Sequence, residues 1–104
     1  MSLKLIVLYP HPVDVKQFDM DYAVHLRFTD EKLGLTNDIK PYTVTKMLPT
    51  PMGLPHYYQM FTLLFNSEAE METILTSPKM QEVGADANRI STGGAPLVMV
   101  GNEN

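Results

Sequence analysis

The sequence predicts an α+β domain with the element order β-α-β-β-α-β. Three observations carry this reading. An apolar run, Leu3 to Tyr9, stops at Pro10-His11-Pro12; an apolar stripe at helical spacing lies between Asp14 and Gly34; and two strand-like segments, 42 to 48 and 57 to 65, are separated by a proline-rich loop.

Each element has a local cause. Leu3 to Tyr9 is rich in Leu, Ile and Val, and the prolines end its ladder because neither has an N–H to donate. Asp14 can cap the next helix with Gln17 completing a capping box, and Gly34 supplies the left-handed closing residue, so the first helix runs from about Val15 to Leu33. Tyr42 to Leu48 alternates β-branched and aromatic residues and reads as the second strand. Pro49 to Pro55 fits no regular element. In the third strand, Tyr57 to Phe65, Tyr57, Phe61, Leu63 and Phe65 are expected on one face and Tyr58, Met60 and Leu64 on the other. Ser67 and Glu70 form a second capping box for a helix ending near Thr76, and Pro78 restarts it as a weaker segment, Ser77 to about Ala87. Gly93-Gly94 breaks the chain before a last strand at Leu97 to Val100.

That order is the ferredoxin-like split βαβ arrangement: a four-stranded antiparallel sheet with its helices on one face. The first and third strands are apolar on both sides, whereas a solvated sheet face shows polar alternation. A second copy of the chain is expected to cover the bare face, two sheets closing a dimeric α/β barrel.

At 104 residues, with 44% apolar and 19% charged, the chain has the size and composition of one globular domain. It has no cysteine, which removes disulfides and thiolate chemistry and fits a reducing cytoplasm. A net charge of −4 with eight scattered Lys and Arg argues against nucleic acid as a partner. The N-terminal apolar run contains Lys4 and is too short to span a bilayer, so no membrane association is expected.

The clearest chemical handle is His25. At about 100° per residue, Val15, Phe18, Tyr22, Leu26, Thr29 and Leu33 share one stripe, and His25 falls inside it beside Tyr22. An imidazole, ordinarily titrating near pH 6.5, on an inward apolar face can serve as acid, base or hydrogen-bond anchor. The structural alternative is a core histidine satisfied by backbone or by Tyr22.

Other candidates are weaker. His11 can reach a pocket mouth from its proline turn, and His56 lies in the proline-rich loop. The three histidines lack i, i+4 spacing, so no metal site is expected. Gly93-Gly94 lacks the spacing of a dinucleotide fingerprint, and neither a P-loop nor a nucleophile elbow is present, so no built-in cofactor site is expected. Of eight methionines, Met47, Met60 and Met99 fall in strands where they can line a cavity, whereas Met20, Met71 and Met80 fall in helices without that hint.

Residues 5 to 12, Phe18 with Tyr22 and His25 before Lys32-Leu-Gly34, His56-Tyr-Tyr, Phe65-Asn-Ser67 with Ser77-Pro78, and Asp86 with Thr92-Gly-Gly94 together resemble the EthD family of dimeric α/β-barrel proteins. The resemblance spans nearly the whole chain in order. It implies a homodimer with a small pocket in each subunit, between sheet and helices, and the first-helix histidine at its edge. The family is named for ether degradation, many members are called oxidoreductases, and relatives include dehydratases, decarboxylases and cofactor-free monooxygenases. The chain departs from the family pattern in one place: Tyr22 precedes His25 by three residues rather than four, and Arg27 stands where a proline is usual.

Two functions follow from these residues taken with the resemblance. One is an oxidoreductase or a cofactor-free lyase acting on a small apolar or aromatic metabolite, with His25 moving a proton and Tyr22 orienting an oxygen. The other is a non-catalytic carrier of such a ligand. In either, Tyr9, His11, Phe18, Met60 and Phe61 are the expected ligand-binding residues, in a pocket on the helix-covered side of the sheet within one subunit.

Overall fold

The computed structural model describes residues 2–35 and 41–103. In order along the chain stand β1 (Ser2–Pro10), α1 (Val15–Leu33), β2 (Tyr42–Lys46), β3 (Tyr57–Phe65), α2 (Glu68–Leu75), α3 (Pro78–Ile90) and β4 (Leu97–Glu103). The strands form one antiparallel sheet in the order β2-β3-β1-β4, the ferredoxin-like arrangement. None of the described helices is long and apolar enough to cross a membrane.

The local signals act as expected, with informative exceptions. Asp14 accepts from the Gln17 amide at 3.0 Å, and Gly34 closes α1 at φ 68°. The Gln17 side chain does not complete the capping box; it donates to Asp21 at 3.0 Å instead. At α2, Ser67 accepts from the Glu70 N–H at 3.1 Å, and the Glu70 carboxylate reaches back one residue further, to the Asn66 N–H at 3.3 Å.

The last helical region is two helices, and the second is longer than expected. The Ser77 hydroxyl donates to the Ile74 carbonyl at 2.7 Å and accepts from the Met80 N–H at 3.2 Å, so one side chain ends α2 and starts α3. α3 continues to Ile90 because that residue is buried to 1% exposure in the core. β4 also runs past Val100. Gly101 to Glu103 pair with Lys4 to Ser2, and Lys4 meets Glu103 at 2.6 Å. β2 is shorter, ending at Lys46, two residues before Leu48.

Register decides which side chains face the helices. Leu3, Leu5, Val7 and Tyr9 stand opposite Phe65, Leu63, Phe61 and Gln59, and together with Phe18, Tyr22 and Ile90 they make the core. The register shifts at Tyr9/Pro10, leaving Tyr58 as an extra residue between Gln59 and Tyr57. This bulge corrects the expected alternation: Tyr58 and Gln59 are both buried, and Tyr58 packs on Phe18 of α1 rather than sharing a face with Met60. β1 and β3 are apolar on both faces as expected, and within one chain the helices cover one of them. On the other, Ile6, Leu8 and Met60 are half-buried and Leu64, Leu97 and Met99 exposed.

Candidate functional site

α1, tied to β2 and β3 through Asp30–Tyr42 at 2.7 Å and Asp19–Tyr58 at 2.9 Å, packs against α3 on one face of the sheet, with Lys32 meeting Glu82 across the two helices at 3.2 Å. Between them and the sheet lies a cavity of about 230 Å³. Its floor is Leu5, Val7, Tyr9 and Phe61, with Val98 at the edge. α1 contributes His25, Thr29 and Leu33. α3 contributes Met80, Val83, Gly84 and Ala87, and the space exists because of two of these: Ala87 is small, and a Cβ added at Gly84 would meet nothing within 4 Å.

His25 is 4% exposed, and its ring is oriented by the chain rather than by a ligand. Nδ1 lies 2.7 Å from the Asp86 carboxylate across the α1–α3 contact. The Thr29 hydroxyl donates to the His25 carbonyl at 2.9 Å. Asp86 is held in turn by Arg89, whose Nε and terminal nitrogen each lie 2.9 Å from the other carboxylate oxygen. Partial burial pushes the Asp86 carboxyl up, but the hydrogen bonds and charges of His25 and Arg89 outweigh it and hold it below the usual carboxylate range. An ionised Asp86 fixes the proton of a neutral imidazole on Nδ1, which leaves Nε2 with its lone pair and without a protein partner among the described residues.

The sequence candidates divide. His25, Tyr9 and Phe61 line the cavity. Tyr22 does not, although its ring lies 5.7 Å from that of His25. Its hydroxyl is enclosed without a hydrogen-bond partner, as is Gln59 Nε2, and burial pushes the phenol well up. Tyr22 points the same way as Thr29 and Leu33 but stands earlier along α1, where the rings of Phe18 and Tyr9 enclose it. Phe18 is buried in an aromatic stack with Tyr9, Tyr22 and Tyr58 and does not reach the cavity. His11 is exposed, packs edge-on against Tyr58 and lies outside it. Met60 is on the opposite face of the sheet, in a shallow groove with Lys4 and Ile6, because it pairs with Leu8. Met47 and Met99 do not line the cavity either, whereas Met80 does.

Sequence reasoning did not assign roles to Asp86, Arg89 or Gly84. The i, i+3 pair of small residues at 84 and 87 was the available signal for a helix face that leaves room. Among the described residues no cluster of three His, Cys, Asp or Glu side chains is placed to hold a metal ion.

No family model and no curated protein matches the sequence. Solved structures do. The chain is similar to an EthD family protein from Bacillus halodurans C-125, at 28% identity and a TM-score of 0.83, covering 100% of both chains. An EthD-like protein from Ralstonia eutropha JMP134 aligns at 22% identity and a TM-score of 0.66 over 97% of this chain and 90% of that one. A dimeric ferredoxin-like protein of unknown function from Jannaschia sp. CCS1 shares the fold at 13% identity and a TM-score of 0.72, covering 99% and 100%. The resemblance to the EthD family read from the sequence therefore extends over the whole fold.

Proposed function

We propose that this EthD-like chain works as a homodimer whose subunits each bind a small apolar or aromatic metabolite in the α1–α3 cavity, and that His25 exchanges a proton with it. One observation carries the reading: a histidine lining a mostly apolar cavity is oriented through Nδ1 by a carboxylate 2.7 Å away, which leaves Nε2 for a ligand. The volume suits a compound of about one ring, since an apolar cavity of about 150 Å³ takes benzene. The reaction is then an oxidoreductase or lyase step of the kind implied for EthD-like proteins, in a cytoplasmic setting.

The bare face of the sheet supports the dimer. Ile6, Leu8, Met60, Leu97 and Met99 form an apolar surface there, and several of the similar structures are described as dimeric. Fully burying an exposed side chain of this kind is worth about 1.5–3 kcal/mol, and these partly covered ones each gain a fraction of that. Sedimentation equilibrium at micromolar concentration is expected to give twice 11.7 kDa; a monomer overturns the dimer.

The test of the site is His25→Ala, measured for thermal stability and for turnover against a panel of one-ring metabolites. The variant is expected to fold and dimerise and to lose turnover. If it melts much lower yet acts as well as the parent, His25 is structural. Tight binding without turnover anywhere in the panel favours the carrier. An absorbance spectrum of freshly purified protein identifies any co-purifying flavin or haem directly.

A further inference from the structure

Two buried residues that line the cavity, Tyr9 and His25, each carry a polar atom that the protein itself leaves unused, and we infer that together they select an uncharged ring bearing a hydroxyl, a phenol or a stable enol. This rests on the reading of the cavity as a ligand site.

The first atom is the Tyr9 hydroxyl. Tyr9 lines the cavity floor, and its hydroxyl makes no hydrogen bond with the described residues. Its ring is held from two sides, by Phe18 at 5.5 Å and Tyr22 at 5.4 Å, so the hydroxyl is presented in a fixed direction. Burial, with the charge of Asp86 adding to it, keeps this phenol protonated and therefore a donor. The second atom is His25 Nε2, an acceptor while Nδ1–H is given to Asp86.

At the buried end of the cavity the ligand must therefore answer one donor and one acceptor; Thr29 is committed to the His25 carbonyl, and Asn88, which gives one N–H to the Gly84 carbonyl, stands at the exposed rim. A hydroxyl does both at once: its O–H donates to Nε2 and its oxygen accepts from Tyr9. An ether or a ketone answers Tyr9 and leaves Nε2 unpaired. A carboxylate adds a second negative charge beside Asp86, and the nearest guanidinium, Arg89, is already committed to Asp86. The same pair of atoms thus rejects anions and accepts neutral hydroxylated rings.

Titration calorimetry on the purified full chain tests this with four ligands of one ring size: p-cresol, 4-methylanisole, p-toluate and toluene. p-Cresol is expected to bind about tenfold more tightly than 4-methylanisole or toluene, with p-toluate weakest. In Tyr9→Phe, p-cresol affinity should fall towards that of 4-methylanisole while toluene binding is unchanged. Equal binding of p-cresol and 4-methylanisole, or p-toluate binding as tightly as p-cresol, overturns the hydroxyl selection and leaves the cavity reading intact. Absence of binding by all four overturns both. Should Tyr9→Phe fail to fold, the comparison of p-cresol with 4-methylanisole on the parent chain decides the matter alone.

Discussion

The two halves of α1 lie over the same sheet and do opposite things. Over the first half, Phe18 and Tyr22 interlock with Tyr9 and Tyr58 at ring separations of 5.4 to 5.6 Å, and the space between helix and sheet is filled. Over the second half, His25, Thr29 and Leu33 face Gly84 and Ala87 of α3, and a cavity of about 230 Å³ remains. Large rings meet large rings at one end; a polar ring meets small residues at the other. The packed end fixes the angle and height of α1, and that rigidity holds His25 where α3 can present Asp86 to it. Core and site are thus two ends of one helix stripe, distinguished by what the opposing element supplies.

The sharpest way to break this contrast is Phe18→Ala. Phe18 is 1% exposed and touches three aromatic rings, so its truncation should destabilise the fold by about 3–5 kcal/mol in urea denaturation. A loss below about 1 kcal/mol would mean that the packed end does not hold the helix.

Gly93→Ala probes the same end through the backbone. A Cβ there would collide with the His11 carbonyl, and Thr92 accepts from the Val13 N–H at 3.2 Å, so the turn cannot easily retreat. A loss of about 1–3 kcal/mol is expected from thermal melts.

Asp86→Asn probes the cavity end and should cost only about 1 kcal/mol at neutral pH, because the amide can still accept from His25. Its signature is in pH dependence. The carboxyl lies below its ordinary range in the folded chain, so its stabilisation is present above the unfolded pKa, about 3.9, and is lost as pH falls through the lower folded value. Melts from pH 7 down to pH 2.5 should show that acid-side loss in the parent and a shallower decline in the variant. Parallel curves would mean that Asp86 is not held ionised by its partners.

Gly84→Leu should change stability least and binding most. A leucine replaces a helix-interior glycine and grows into empty space, so the melt should stay within about 1 kcal/mol of the parent. Affinity for a one-ring ligand should fall at least tenfold by calorimetry. Unchanged affinity would place the ligand elsewhere.

The sequence by itself determined what short-range physics can encode. Asp14 and Gly34 bounded the first helix, alternation and proline marked the strands, and the 3.6-residue stripe turned Phe18, Tyr22 and His25 inward together. The element order then led to the sheet and the bare apolar face. Only the tertiary structure decided which inward residues meet the cavity. Tyr9 rather than Tyr22 lines it because the register of β1 against β3 sets Tyr9 on the floor, while Tyr22 stands at the end of α1 that Phe18 and Tyr9 fill. Met60 went to the far face through the same pairing, and Tyr58 came inward through a bulge that alternation cannot foresee. Asp86 reached His25 across 61 residues of chain because α3 docks on α1. Periodicity reports which side of an element is buried; what that side touches depends on a second element whose distance along the chain carries no local signal.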